Sequence, residues 1–269
     1  MEGETEGKCA MNLRLRTGLD RLRLGSWLPG AKAFARSLIY QDERLCVLCG
    51  AAGGPICPEC RKTYFHPELG RCHNCGKLIP PAAALCTDCH LGKGPRHLSR
   101  VVAWGHYDGA WKDFIWQVKF KGRPRLLERV GQDFALWALD RLPPVDGIIA
   151  VPIHPERLAE RGFNQAEVLA SLLHWQLGLP LVDGLARVRA TPPQVKLNRQ
   201  ERLHNLIGAF RAVNPHSLTG RSFWLVDDVT TTGATLEACA EVLQDAGATE
   251  VYGLCLAAGM EKMLVGTWN

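Results

Sequence analysis

A chain of 269 residues has room for about two domains of unequal size, and 46% apolar residues are enough for an ordinary core. The formal charge of +5 is a mild basic excess that suits a polyanionic small ligand or weak contact with nucleic acid and demands neither. No apolar run reaches membrane-spanning length, and Arg14, Arg16, Arg21 and Arg23 interrupt any secretory apolar region, so a reducing cytoplasm is the expected compartment.

Residues 1–43 read as an N-terminal extension or helical arm. Met1 to Lys8 is polar, acidic and expected to be disordered, and Met11 is an alternative start. Leu13, Leu15, Leu19, Leu22 and Leu24 alternate with arginines in an amphipathic pattern broken near Gly25 and Pro29. The expectation is a helix packing on the body of the protein rather than on a membrane.

Residues 44–92 form a Cys-rich module. Four C-x-x-C pairs, Cys46/Cys49, Cys57/Cys60, Cys72/Cys75 and Cys86/Cys89, are separated by seven, eleven and ten residues. Two cysteines at this spacing on a turn can reach one ion, and four thiolates close a tetrahedral structural zinc site. Eight thiols imply two Cys₄ zincs, or one zinc with spare thiols. Sequential pairing, first pair with second and third with fourth, needs only short loops and is preferred, while interleaved pairing stays open. Pro58 and Gly76 suit knuckle turns, and His66, His73, His90 and His97 are available but not required as ligands. A redox C-x-x-C normally stands alone, and one Fe–S cluster would use only half the cysteines. The module has few large apolar residues, so metal is expected to supply much of its folding energy.

Gly92-Lys93-Gly94-Pro95 reads as a linker, and residues 98–259 as an α/β domain with a tail at 260–269. Arg100 to Tyr107 is an expected strand. Asp108 can cap a helix whose apolar face is Trp111, Phe114, Ile115 and Val118, ending in the basic turn Lys119-Phe120-Lys121-Gly122-Arg123. A second helix runs through Leu127, Val130, Phe134 and Trp137. The buried strand from Gly147 to Val151 leads to Arg157 and Arg161, four apart, and then to a helix that Asn164 and Glu167 could cap. Ligands of α/β sheets bind at the C-terminal ends of strands, where a guanidinium pair suits a diphosphate. A pair of surface arginines is the equal alternative. Arg187 to Leu197, including Arg189, Gln194 and Lys196, is basic and Pro-rich and reads as a mobile loop able to fold over a polyanion. Asn198 to Leu206 is a short expected helix, and Ile207 to Arg211 is extended.

The stretch from Phe223 to Thr235 carries the chemistry. Phe223 to Val226 reads as a buried parallel strand, with Asp227 and Asp228 at its C-terminal end. Thr230, Thr231, Thr232, Gly233, Ala234 and Thr235 then lead into a helix from Leu236 to Ala246, stopped by Gly247, and Glu250 to Ala257 is a further strand. Loop N–H groups and a helix N-terminus converge on an anion, Thr hydroxyls add donors, and Gly233 lets backbone approach closely. Two carboxylates repel a bare phosphate. They serve a ligand that also carries a diol or Mg²⁺. No Walker-type lysine is present, so an NTP site does not fit. Over these thirteen positions the chain resembles the phosphoribosyl pyrophosphate (PRPP) signature of type I phosphoribosyltransferases. Cys239 and Cys255 are expected in the core.

The Cys pairs, Val118 to Arg123, Arg161 to Ala166, Arg189 to Gln194, Arg202 to Asn205 with Gly208-Ala209-Phe210, and Val226 to Thr235 together resemble the ComF family over about residues 44–258. The resemblance implies a type I phosphoribosyltransferase fold, a parallel sheet flanked by helices, behind a small zinc module. It also implies a part in competence or DNA utilisation, with single-stranded DNA and a helicase-like uptake protein as partners. Two readings follow. In the first, an enzyme of pentosyl transfer binds Mg-PRPP: Thr231 to Thr235 hold the 5′-phosphate, Asp227 and Asp228 the diol and hydrated Mg²⁺, and Arg157 and Arg161 the pyrophosphate. In the second, the same pocket senses PRPP or a nucleotide without turnover, and the zinc module and basic surface contact single-stranded DNA. No acceptor-selecting hood is recognisable in the sequence.

Overall fold

The structure, a computed structural model, describes residues 44–191, 205–261 and 264. The chain divides into two compact units, Met1–Asp42 and Glu43–Asn269, and all that follows concerns the second. The expected N-terminal arm, Gln194 and Lys196, and nearly all of the helix expected from Asn198 lie outside the described residues.

The Cys-rich segment is built from turns and very short elements. Helix α1 (Pro58–Phe65) starts at Cys57 with proline in its first turn, where a missing N–H costs nothing. Strands β1 (Gly70–Arg71) and β2 (Leu78–Ile79) form an antiparallel hairpin, and α2 (Thr87–His90) starts at Cys86. The first pair of each group lies on a knuckle, closed by Gly50 N–H to Cys46 O at 2.9 Å and Gly76 N–H to Cys72 O at 2.8 Å.

The remaining elements are β3 (Arg100–His106), α3 (Gly109–Phe120), α4 (Arg125–Leu139), β4 (Gly147–Ala150), α5 (Pro155–Arg161), α6 (Gln165–Leu177), β5 (Leu185–Arg187), β6 (Phe210–Ala212), β7 (Ser222–Thr230), α7 (Ala234–Asp245) and β8 (Glu250–Ala258). The four strands of the main sheet run in the order β3-β8-β7-β4, all parallel. Parallel strands are buried on both faces, which is why they read as unbroken apolar runs. One face presents Val102, Trp104, Ile148, Trp224 and Leu254 to Trp111, Phe114, Phe134 and Leu169 of α3, α4 and α6. The other presents Val101, Ile149, Leu225 and Cys255 to Leu236, Cys239 and Leu243 of α7. Cys239 and Cys255 are fully buried, as core cysteines should be.

Two local expectations are corrected. Asp108 sits at the N-cap of α3 but makes no capping bond; its carboxylate instead takes Lys112 Nζ at 2.5 Å, one turn along. Strand β7 does not stop before the acids. It pairs with β8 as far as Thr230, with Asp227 opposite Cys255.

The segment read as a linker is docked along its length. Lys93 N–H bonds to Asp88 O at 2.9 Å. Glu237, buried in the first turn of α7, accepts from Arg96 N–H at 2.8 Å and His97 N–H at 3.1 Å, and its Oε1 lies 2.9 Å from His97 Nδ1. On the other side, Leu78 N–H bonds to Gly259 O at 3.0 Å and Val101 N–H to His73 O at 3.0 Å. Arg71 donates to Phe65 O at 2.7 Å and Ala103 O at 3.3 Å. The Cys-rich segment is therefore bonded to the sheet, and the stretch that follows it is bonded to α7. Glu237→Ala should leave two backbone N–H groups without an acceptor and destabilise the fold by about 1.5–3 kcal/mol, read as a lowered urea midpoint at unchanged m-value.

Candidate functional site

The end of β7, the loop after it and the start of α7 enclose a cavity of about 310 Å³ whose walls include Lys119, Asp227 and residues Val229 to Leu236. A second cavity of about 230 Å³ lies beside it, walled by Arg157, Arg161, Arg187, Gln165, Thr191, Asp227 and Asp228 among others. Lys119, Asp227, Val229 and Thr235 line both, so the two are arms of one cleft. The expected loop residues, the two acids, Arg157 and Arg161 are thus brought together from β7, α7 and α5.

Gly233 turns the loop in the left-handed region, at φ +77°, and becomes the N-cap of α7. A side chain there would also meet Pro95 Cγ at 2.9 Å and Cys75 Cβ at 3.6 Å. The loop therefore rests directly on the Cys-rich segment. Only glycine satisfies both the turn and the close approach.

The acids are held under electrostatic stress. Burial, and then the charge of Asp228, push the Asp227 carboxyl up to about 8. Asp228 N–H donates to Asp227 Oδ1 at 2.8 Å. Lys119 Nζ stands 2.6 Å from Asp228 Oδ2. Burial alone would lower the Lys119 ammonium pKa, but the charges of Asp228 and Asp227 outweigh it and raise it. Burial lowers the Arg161 and Arg187 pKa values, opposed by Asp228 at Arg161 and reinforced by Arg157 at Arg187.

The arginine arm is ordered by its own bonds. Arg157 Nη2 donates to Thr191 O at 3.2 Å, Arg161 Nη1 to Gln165 Oε1 at 2.6 Å, and Arg187 Nη2 to Thr191 Oγ1 at 2.5 Å. Asn164 is a helix cap: its Oδ1 accepts from Ala166 N–H at 3.1 Å, while its Nδ2 donates to Val151 O at 3.0 Å. Arg187 is not part of a loop, as its basic surroundings suggested. It closes β5, opposite Phe210 of β6, and points its guanidinium into the cleft. Arg189 donates to Asn205 O at 2.8 Å and Ile207 O at 2.7 Å. Sequence reasoning missed Lys119, Gln165 and Thr191. Lys119 stood in a basic turn with Lys121 and Arg123, and nothing in their spacing singles it out.

Among the described residues, four buried side-chain polar atoms are left without a partner: Trp111 Nε1, Gln165 Nε2, Arg187 Nε and Thr230 Oγ1; buried Asp228 Oδ2 meets only the Lys119 ammonium. Three of the four, on Gln165, Arg187 and Thr230, belong to residues lining the cleft. Such groups are costly to bury, and donors and acceptors left open together mark a place for a polar ligand.

The eight paired thiols fall into two sets, Cys46, Cys49, Cys57 and Cys60, and Cys72, Cys75, Cys86 and Cys89, with the sulfurs of each set within 4.8 Å of one another. The preferred sequential pairing is the one found. Cys49 Sγ to Cys57 Sγ and Cys75 Sγ to Cys86 Sγ are each 3.6 Å. A tetrahedral ion with sulfur at about 2.3 Å needs sulfur–sulfur edges of about 3.8 Å, so each set can hold a metal ion. No helix among the described residues is long and apolar enough to cross a membrane.

Residues 159–265 match the family model of the phosphoribosyl transferase domain. The DNA utilization protein YhgH of Salmonella typhi is 32% identical over 220 residues, covering 75% of this chain and 96% of that protein. Competence protein ComFC of Streptococcus pneumoniae is 30% identical, covering 86% of this chain and 96% of that protein. Competence protein F of Haemophilus influenzae is 32% identical, covering 75% and 90%. With identity at this level over nearly the whole of each relative, the chain belongs to the ComF family of competence and DNA-utilisation proteins, and its parallel sheet is that of a type I phosphoribosyl transferase domain.

Proposed function

We propose that the cleft binds PRPP, or a closely related phosphoribosyl ligand, together with Mg²⁺, and cleaves its anomeric bond in transfer to an acceptor. The observation that carries this reading is the gathering of unsatisfied buried polar atoms in a cleft that has acids at its centre and arginines in one arm.

The loop from Thr230 to Thr235 receives the 5′-phosphate with backbone and hydroxyl donors at the head of α7. Arg157 and Arg161, joined by Arg187, hold the pyrophosphate in the other arm. Asp227 and Asp228 accept from the ribose hydroxyls and are the residues that would hold the hydrated Mg²⁺. That ion, when bound, supplies positive charge beside the diphosphate. Their donor set fits it: two carboxylates side by side, one kept from ionising by burial and its neighbour, gain from any added cation. Bond cleavage builds positive charge on the sugar and negative charge on the leaving group. The acids stabilise the first and the arginines the second. Lys119, between the arms, keeps the acid pair from repelling the phosphates before the ligand is seated.

Within this reading the protein works in the cytoplasm, both Cys₄ sets hold zinc, residues 44–92 act as a module beside the transferase domain, and single-stranded DNA and a helicase-like uptake protein are its partners. Pyrophosphate release from PRPP in the presence of candidate bases supports transfer. PRPP binding without any release assigns the cleft to sensing instead.

Calorimetric titration of Mg-PRPP should show a loss of about 1.5–3 kcal/mol, roughly ten- to hundredfold in affinity, for Asp227→Asn and for Asp228→Asn. Because burial makes the Asp227 charge unfavourable, Asp227→Asn should keep or raise the thermal midpoint while losing binding. Gly233→Val, strained at φ +77° and blocked by Pro95, should abolish binding with or without Mg²⁺. Wild-type titrations in all three variants would remove the reading.

Metal analysis of protein purified without added metal should give about two zinc ions per chain. Because the loop rests on Cys75 and Pro95, stripping the metal should also weaken PRPP binding. Unchanged PRPP affinity in a metal-free, folded protein would separate the two.

A further inference from the structure

Helix α3 uses one face for the core: Trp111, Phe114, Ile115 and Val118 are buried. Its outer face carries two more aromatics one turn apart, Trp116 at 49% and Phe120 at 63% exposure. Their ring centroids are 6.2 Å apart and the planes are tilted by 42°. Cations frame them. Lys121 Nζ lies 5.1 Å from the Trp116 ring centre, and the Arg161 guanidinium carbon 5.5 Å from that of Phe120. Arg123 is held beside them, donating to Gln117 Oε1 at 3.0 Å. After Asp113, the one acid on this face, the chain to Arg123 carries no further acid; Lys121 and Arg123 are its cations, Lys119 being paired with Asp228. Arg161 also lines the arginine arm of the cleft, so the aromatic strip runs to its mouth.

We propose that Trp116 and Phe120, with Lys121, Arg123 and Arg161, form a stacking track for single-stranded nucleic acid that leads into the cleft. Exposed aromatic rings stack on bases irrespective of sequence, and neighbouring cations neutralise the phosphates. A protein partner fits less well, because the centres of protein interfaces are depleted of charge and this strip alternates ring and cation. Two adjacent rings on an open surface serve two successive bases of a strand; they enclose no single free base. That the strand reaches the reacting centre rests on the phosphoribosyl reading above, whereas the stacking does not.

The test is fluorescence anisotropy of a labelled oligodeoxythymidylate with the full chain across a salt series. Trp116→Ala and Phe120→Ala should each weaken binding about five- to a hundredfold while leaving the slope of log K against log salt unchanged. Lys121→Ala and Arg123→Ala should each reduce that slope by about one, and Trp116→Phe should restore most of the affinity. Mg-PRPP titration of Trp116→Ala should match wild type, so failure of the track and failure of the phosphoribosyl reading appear in separate experiments. Wild-type strand binding in a Trp116→Ala/Phe120→Ala double variant would overturn the proposal, as would no strand binding by the wild type at low salt. So would a double variant that turns a dimer into a monomer in sedimentation with strand binding intact, which would make the strip an interface between copies.

Discussion

Two carboxylates side by side near the end of a buried strand are the constraint on which the centre of this protein turns. Like charges a few ångströms apart in a low-dielectric surround cannot both ionise freely, and here the cost appears as an Asp227 carboxyl held up to about 8. The fold offsets part of that cost with one cation, Lys119, delivered from the C-terminal turn of α3 to within 2.6 Å of Asp228. The remainder stays in the folded chain as an unrelieved electrostatic cost. Groups held at such a cost are found more often at functional sites than elsewhere. Everything nearby is arranged around the pair: β8 holds the register of the acids, α7 caps the loop, and α5 and β5 bring arginines to the far side.

The Cys-rich segment is more than an appended module. Glu237 clamps Arg96 and His97 to the first turn of α7, and Gly233 lies against Pro95 and Cys75. Cys75 of the second thiol set therefore lies against the Thr/Gly loop. Small segments with so few large apolar side chains depend on metal for their shape. An ion held by Cys72 to Cys89 would act on the loop through the contact of Cys75 and Pro95 with Gly233.

Much was legible from local pattern. The C-x-x-C spacing and the short-loop argument predicted the two thiol sets, because four sulfurs on adjacent turns have few other ways to converge. The apolar runs gave the parallel strands, and helical spacing gave α3 with its buried face and α4 with Leu127, Val130 and Phe134 buried, Trp137 only partly so. Asn164 was read as a cap and is one. The misreadings share a cause. Asp108 found a lysine one turn away to bond in place of a backbone N–H. Arg187 looked like a loop residue because its sequence neighbours are polar, yet pairing with β6 makes it a strand residue.

The sequence by itself determined which groups are the candidates for a site: the acid pair, the Thr/Gly loop, the eight thiols and the two spaced arginines. Their identities and local spacing are set along the chain, and strand, loop and helix propensities act over a few residues. Only the tertiary structure decided which of three nearby cations meets Asp228, that Gln165 and Arg187 complete the arginine arm, and that Cys75 and Pro95 support Gly233. Those relations join residues far apart in the chain. They depend on strand order and helix packing, to which the spacing of residues within any one element is blind.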